Sequence, residues 1–495
     1  MQAGNAEGAA PMRSGVVDVG SNSVRFVVFD GPERCPSYFF NEKVLCGLGR
    51  NLSRTGVLDP EGRVRALTAI RRFAGLADAM KLDRLVGIAT AAVREAEDGP
   101  DFVEDVRRVT GLALTIASGD EEARLAAQGV LMGMPAADGL VVDIGGASME
   151  IAEVSGGAVG RRMTSPLGPL ALADIADGKR AKHIARTLER LRDAVDGKGR
   201  ELLLVGGSWR AIAQIDMQRR SYPLPVLHGY RMPAEEALET ARWIAEREAG
   251  DLSTVSDSSP ARLSLVPMAA EVLAGLVETF APSTLTVSAY GLREGTLYSL
   301  MPGPVRRADP LLAAARDIEA NDARMPGFGD VLADWIAPLF EDASADDRRL
   351  IRAACLLHDV NWRTHPDFRP LHAFEAPMRA SLAGVDHPDR IFIGACLAYR
   401  YKSPGKAGVN DALMALLPED RMALAEQAGR AIRLGAMLSG TCADTLADSR
   451  IAFGEGTVEL TLGPIGARLS GEVVEKRLAR LARSWSRDPV IHLKD

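Results

Sequence analysis

Three short stretches combine glycines with small polar residues at the end of an apolar run, two of them led by an acid. They are D-V-G-S-N-S at 18–23, D-I-G-G-A-S-M-E at 143–150 and V-G-G-S-W at 205–209. Around the first, Val16, Val17 and Val19 and then Val24, Phe26 and Val28 are β-branched or aromatic and predict two strands. Gly20, Ser21, Asn22 and Ser23 form the turn between them. Its tip carries backbone N–H groups, hydroxyls and the Asp18 carboxylate, a set that can hold a phosphate and place an acid for a metal ion. Residues 139–157 repeat the pattern, with Asp143, Gly145, Gly146, Ala147 and Ser148 at the turn. In the third stretch a buried strand runs through Gly206, Gly207 and Ser208 into a helix. One such turn is ordinary; three in order, two of them matched hairpins, make a strong signal. No Walker A, G-x-G-x-x-G or H-E-x-x-H pattern occurs.

The elements that must position these turns alternate. Strand and helix patterns follow one another over the first 300 residues or so, with helices predicted near 60–80, 99–110 and from Glu121 onward, and strands at 85–91 and 112–118. Ser118, Gly119 and Asp120 supply cap chemistry, and Glu121 and Glu122 suit a helix N-terminus. The echo of the first hairpin in the second suggests two related α/β domains facing each other. P-G-P-V-R-R-A-D-P at 302–310 reads as a linker. Beyond it, 311–448 is mostly helical, 449–463 reads as a hairpin, and a basic amphipathic helix lies near 471–486.

Five segments resemble one branch of the actin/sugar-kinase/heat-shock-ATPase superfamily: SNSVR after Asp18, TAAVREAEDG (90–99), SGDEEARL (118–125), DIGGASMEI (143–151) and GLREGTLY (291–298). Their order and spacing look like the exopolyphosphatase / guanosine pentaphosphate phosphohydrolase family, clearly over residues 14–300 and more faintly over 311–495. Ala147 stands where that family usually has a third glycine, and Trp209 follows G-G-S with no evident role.

The resemblance implies two actin-like (ribonuclease H-like) α/β domains around a cleft, at 1–136 and 137–303. A mostly α-helical HD-like C-terminal region would follow at 311–495, with a small terminal β-hairpin and helix. It implies release of orthophosphate from the end of inorganic polyphosphate, or removal of the terminal phosphate of guanosine pentaphosphate (pppGpp). Such cleavage needs charge neutralisation, a positioned water and a geometry that holds both. The amides at Gly20–Ser23 and Gly145–Ser148 would clamp phosphates, and the Gly206–Ser208 turn matches the superfamily's adenosine region on the substrate side. Asp143 and Glu150, joined by Asp18, would hold Mg²⁺, or Mn²⁺ in its place. Arg25 and Arg94 would neutralise non-bridging oxygens. Glu121 matches the family's proposed catalytic base, with Glu122 the alternative, because successive helix residues point about 100° apart and one alone can face the cleft. Arg262 and Arg293 would reach the phosphate chain, Arg293 being read chiefly as part of a helix cap. A homodimer is also implied.

Composition narrows the rest. The chain has 495 residues, is 47% hydrophobic and 25% charged, and carries a net charge of −7. That suits a soluble protein of two to four domains, with no polycation signature. No apolar run is long enough for a membrane span and no secretory signal is visible, so residues 1–15 read as a flexible leader. Five scattered cysteines without C-x-x-C spacing fit a reducing cytoplasm and argue against structural zinc. His358–Asp359 resembles the pair of HD-type phosphohydrolases, but 325–350 has no histidine to complete such a site. Basic residues cluster at Lys179, Arg180, Lys182, Arg186, Arg190 and Arg192, and again at Lys476, Arg477, Arg480, Arg483 and Arg487. They read as solvated helix faces or as a track for a long polyanion; no aromatic platform accompanies them, which argues against nucleic acid. An ATP-dependent kinase shares the fold but needs an aspartate base, and S-G-D-E-E-A-R-L suits water activation better. A non-catalytic, nucleotide-regulated assembly protein is the remaining class; the acids Glu121, Asp143 and Glu150 argue against it.

Overall fold

The computed structural model describes residues 13–195, 197–254, 256 and 263–494. They form two compact units, residues 1–308 and 309–495. Among the described residues no helix is long and apolar enough to cross a membrane.

The first unit contains two sheets. In the first, β1 (Ser14–Val19), β2 (Ser23–Asp30) and β3 (Ser37–Leu45) run antiparallel, and β4 (Arg84–Ala89) and β5 (Leu114–Ile116) add parallel strands, giving the order β3-β2-β1-β4-β5. In the second, β6 (Gly139–Ile144), β7 (Met149–Ser155) and β8 (Ala158–Ser165) are antiparallel, and β9 (Glu201–Val205) and β11 (Thr284–Val287) are parallel additions. With β10 (Arg231–Pro233) as an antiparallel edge, the order is β10-β11-β9-β6-β7-β8. The two sheets therefore share one topology, and the sequence echo is a structural repeat. It places Asp18 opposite Arg25 in the first hairpin and Asp143 opposite Glu150 in the second.

Each sheet is covered by helices whose apolar faces follow from their spacing. Helix α1 (Pro60–Ala79) starts at Asp59, whose carboxylate accepts from Gly62 N at 2.7 Å, and buries Ala66, Ile70 and Phe73 against Phe26. Helix α2 (Gly119–Gly133) is capped by Ser118, which accepts from Glu121 N at 3.2 Å. Helix α3 (Asp177–Ala194) packs on the second sheet through Ile184, Leu188 and Leu191. Helix α4 (Gly207–Arg219) follows the third glycine turn. There Trp209 is fully buried and its Nε1 donates to Val142 O at 3.1 Å, so the unexplained indole ties this helix to β6. Helix α5 (Leu292–Leu300) crosses α2 with backbones almost touching. A Cβ on Gly295 would lie 1.7 Å from Leu125 O, and one on Gly129 would lie 2.1 Å from Gly291 O. The stretch read as a linker contains a short helix, Gly303–Arg307, started by prolines that can occupy a first turn.

The second unit is mostly helical and encloses Phe328, Phe374 and Phe392. Its helices include α6 (Ala345–Leu357), α7 (Glu419–Ser439) and α8 (Glu472–Arg483). The expected hairpin is present as β12 (Ser449–Phe453) and β13 (Thr457–Leu462). A further strand, β14 (Asp488–Leu493), returns after α8 to pair parallel with β13. Its alternation is too short and too polar to read without the partner strand. His358 is buried, with Nδ1 2.7 Å from Cys355 O. Asp359 is clamped by Arg324 at 2.8 and 2.6 Å and accepts from Arg400 at 3.3 Å.

Candidate active site

The two hairpin tips are built alike. Gly20 N donates to Ser23 O at 3.0 Å, and Gly145 N donates to Ser148 O at 2.9 Å. Each bond closes a tight turn just beyond a strand-end aspartate, so Asp18 and Asp143 occupy equivalent places in the repeat. Both line one groove of about 260 Å³, with Gly20, Ser21, Asn22 and Ser23 on one wall and Gly145 and Gly146 on another. Gly206, Gly207 and Ser208 complete it. Gly206 has φ of 117° and a Cβ there would lie 2.5 Å from Ile144 O, so the third turn requires glycine.

A second groove, of about 510 Å³, shares Ser21 with the first. Arg94, Ala147, Ser148 and Thr164 line it. Arg94 is carried by a short helix, Ala91–Glu95, which begins where the strand predicted over 85–91 was to end, and its Nη1 donates to Ala117 O at 2.9 Å.

The paired glutamates separate at this point. Glu122 is buried and forms an ion pair with Arg94. Glu121 turns away and pairs bidentately with Arg124, three residues along the helix, at 2.8 and 2.6 Å. The ~100° step along the helix thus sends the two side chains apart, Glu122 toward Asp18, Asp143 and Glu150 and Glu121 toward Arg124; neither is among the residues that line the two grooves. Glu150 is also buried, accepts from Thr164 Oγ1 at 2.9 Å, and feels the charges of Glu122 and Asp143. It meets the grooves through its partners.

Four carboxylates are thus gathered: Asp18, Glu122, Asp143 and Glu150. Burial raises the proton affinity of each. Asp143 is pushed up to about 6, by burial and by the Asp18 charge, against the pull of Arg210. For Asp18, burial wins over Arg293 and Arg25. Glu122 and Glu150 are each raised well above the ordinary carboxylate range by burial, and Glu122 adds repulsion at Glu150; Arg94 holds Glu122 partly down. The cations are crowded too. Arg25, whose Nε donates to Asn41 Oδ1 at 2.8 Å, is lowered to about 10 by burial and by Arg293 and Arg210.

Sequence reasoning overlooked Lys43 and Arg210 and set Arg293 aside as a cap, yet all three line the first groove. Arg293 is buried, and its neighbour Glu294 accepts from Gly291 N at 2.7 Å, so the segment does cap a helix while sending its arginine into the site. Lys43 lies opposite Arg25 in the β2–β3 register, a relation invisible before the strands are paired. Arg210 lies in the first turn of the helix after G-G-S, a signal the sequence did carry. Arg262 lies outside the described residues. Among the described residues no three His, Cys, Asp or Glu side chains are grouped to hold a metal by themselves.

Buried acids, crowded arginines and glycine-rich amides around a groove suit a phosphate chain. Residues 27–303 match the Ppx/GppA phosphatase family, and residues 311–488 match the exopolyphosphatase C-terminal family. The chain belongs to the Ppx/GppA phosphatase family. The hydrolase class read from the sequence follows from that membership. Retrograde regulation protein 2 of Saccharomyces cerevisiae is 24% identical over 436 residues, 78% of this chain and 72% of that protein. Exopolyphosphatase 1 of Mycobacterium tuberculosis is 34% identical over 143 residues, 28% of this chain and 42% of that one. An exopolyphosphatase structure from Cytophaga hutchinsonii covers 58% of this chain and 97% of its own, with TM-score 0.54 and 21% identity. The Aquifex aeolicus Ppx/GppA family member covers 58% of this chain and 97% of its own, with TM-score 0.52 and 23% identity. These two structures share the α/β fold of the first unit.

Proposed function

We propose that the protein hydrolyses the terminal phosphoanhydride bond of inorganic polyphosphate and releases orthophosphate. The observation that carries this reading is Glu122, a buried carboxylate with raised proton affinity at the start of α2, paired to Arg94 on the wall of the second groove. A base whose proton affinity approaches the working pH accepts a proton from water and passes it on. Arg25, Arg210 and Arg293 neutralise the non-bridging oxygens of the chain end, and the hairpin amides hold it in line.

The site also suits Mg²⁺, or Mn²⁺ in its place. Asp18 and Asp143 line one groove, and burial raises the proton affinity of both against the pull of the cations around them. They would hold the ion, with Glu150 across the strand pair from Asp143. When bound, it supplies neutralisation of phosphate oxygens.

Removal of the terminal phosphate of pppGpp is the second reading. The first groove is also lined by Ser208, Leu265 and Ala289, a mixed wall beyond the carboxylates that a nucleoside could meet. Phosphate release from long-chain polyphosphate, pppGpp and ATP, measured side by side with Mg²⁺, tests both. The expected result is release from polyphosphate. Release from pppGpp alone would establish the second reading, phosphoryl transfer from ATP would favour a kinase, and no release from any of them would sink the hydrolase assignment.

A further inference from the structure

Helices α7 and α8 of the second unit pack antiparallel in a register fixed by two contacts. Gln427 Nε2 donates to Ser484 O at 3.1 Å, and Arg430 Nη1 donates to Arg480 O at 2.6 Å. One further turn brings Arg433 of α7 to Arg477 of α8. Arg480 lies one turn from Arg477 on the same helix. Three guanidiniums therefore converge, two of them half-buried and Arg480 exposed.

Among the described residues none of the three pairs with a carboxylate. The nearby acids are engaged elsewhere: Glu426 with Arg430, Glu472 with Lys476, and Asp359 with Arg324 and Arg400. Arg433 donates to Tyr401 O, while the buried Nε of Arg477 has no partner. Burial and mutual repulsion depress the proton affinity of Arg433 and Arg477. The other basic residues of α8 and its end do not join them. Lys476 is held by Glu472, and Arg487 donates to Gly454 O at 2.9 Å and stacks on Phe453. The basic helix is thus a compact cluster rather than a continuous stripe.

We propose that Arg433, Arg477 and Arg480 form a binding site for a phosphoryl-bearing anion, separate from the cleft residues. Like charges held together without a counter-ion cost stability, and a multiply charged tetrahedral anion offsets that cost through several forked hydrogen bonds at once. The site stands whether or not the cleft hydrolyses polyphosphate.

Calorimetric titration of the full-length protein with methylenediphosphonate, which is not hydrolysed, and with orthophosphate tests this, in chloride at constant ionic strength. Wild type is expected to show a class of sites that survives Arg25→Gln in the cleft. Arg477→Gln, Arg433→Gln and the exposed Arg480→Gln should each weaken that class by about ten- to a hundredfold, as loss of a charge-assisted hydrogen bond does. Tighter binding of the diphosphonate would identify linked phosphoryl groups as the ligand; equal binding would identify a single phosphate. Without anion, Arg477→Gln should melt at or above wild type. The proposal is overturned if Arg477→Gln and Arg480→Gln bind as wild type does, or if Arg477→Gln melts lower without ligand and keeps full affinity.

Discussion

At the first turn of α2 two adjacent glutamates have unlike surroundings, and the difference is chemical. Glu121 is solvated and neutralised by Arg124, whereas Glu122 is desolvated and reaches Arg94. Glu122→Gln should lower kcat by about 10²–10⁴-fold, the usual loss for a positioned base, while Glu121→Gln stays within a few-fold of wild type; the reverse ranking in a phosphate-release assay would return the role to Glu121. Because Arg94 holds the proton affinity of Glu122 down, Arg94→Gln should move the acid limb of the pH–rate profile to higher pH. Asp143 makes a stability prediction. Its folded carboxylate keeps a proton up to about pH 6, and the unfolded one releases it near 4, at about 3.9 in peptides. Between those values the folded state binds more protons, so this group's contribution is present at low pH and is lost as pH rises toward 6. Asp143→Asn should therefore melt at or above wild type at pH 7, the gap closing below pH 4. A lower melting temperature for the variant at pH 7 would mean that the carboxylate has a stabilising partner. The sequence made the turn residues legible because a glycine-rich tip is a local signal. Which glutamate faces inward depends on the phase of a helix against a sheet, and no local pattern reports that.

The elements were legible where their pattern is self-contained. The matched hairpins, α1, the capped start of α2 and the strand-to-helix turn at Gly206 all carry period and punctuation in a few residues. β3, β8, β10, β11 and β14 were not read. All but β11 are edge strands, and each takes its identity from the strand it pairs with. The crossing of α2 and α5 is the same kind of relation. Gly129 and Gly295 look like interruptions in helical stretches, yet they let two helices touch, one bearing Glu122 and the other Arg293. Gly295→Ala places a methyl carbon against the Leu125 carbonyl, a fixed backbone atom that cannot swing aside. Overpacking of this kind costs about 1–3 kcal/mol. The variant should show a lower melting temperature together with a lower kcat, since the base and an arginine are displaced jointly. An alanine variant with unchanged melting temperature would show that the helices can separate at little cost.

At the scale of the whole molecule, every residue assigned to the hydrolytic step lies within residues 1–308, which form one compact unit with both sheets and both grooves. The second unit holds its own core and the arginine cluster of α7 and α8. Residues 1–308 alone should therefore hydrolyse tripolyphosphate at a rate within about tenfold of the full chain, the factor that ~1.4 kcal/mol of barrier represents. Long polyphosphate makes a different demand, because a chain must be retained between cleavages, and retention by cations weakens with salt through counter-ion release. That relation is drawn from nucleic acids and carried to another linear polyanion. Removing the second unit should make digestion of long chains distributive, with intermediate lengths visible on a gel. Joint replacement of Arg433, Arg477 and Arg480 by glutamine in the full chain should do so more mildly, and raising the salt should erase the difference between the two proteins. Time courses of both proteins on long-chain polyphosphate at low and moderate salt decide the point. If the truncated chain digests long polyphosphate without intermediates and with unchanged KM, retention belongs to the first unit, and the arginine cluster serves a ligand other than the substrate chain.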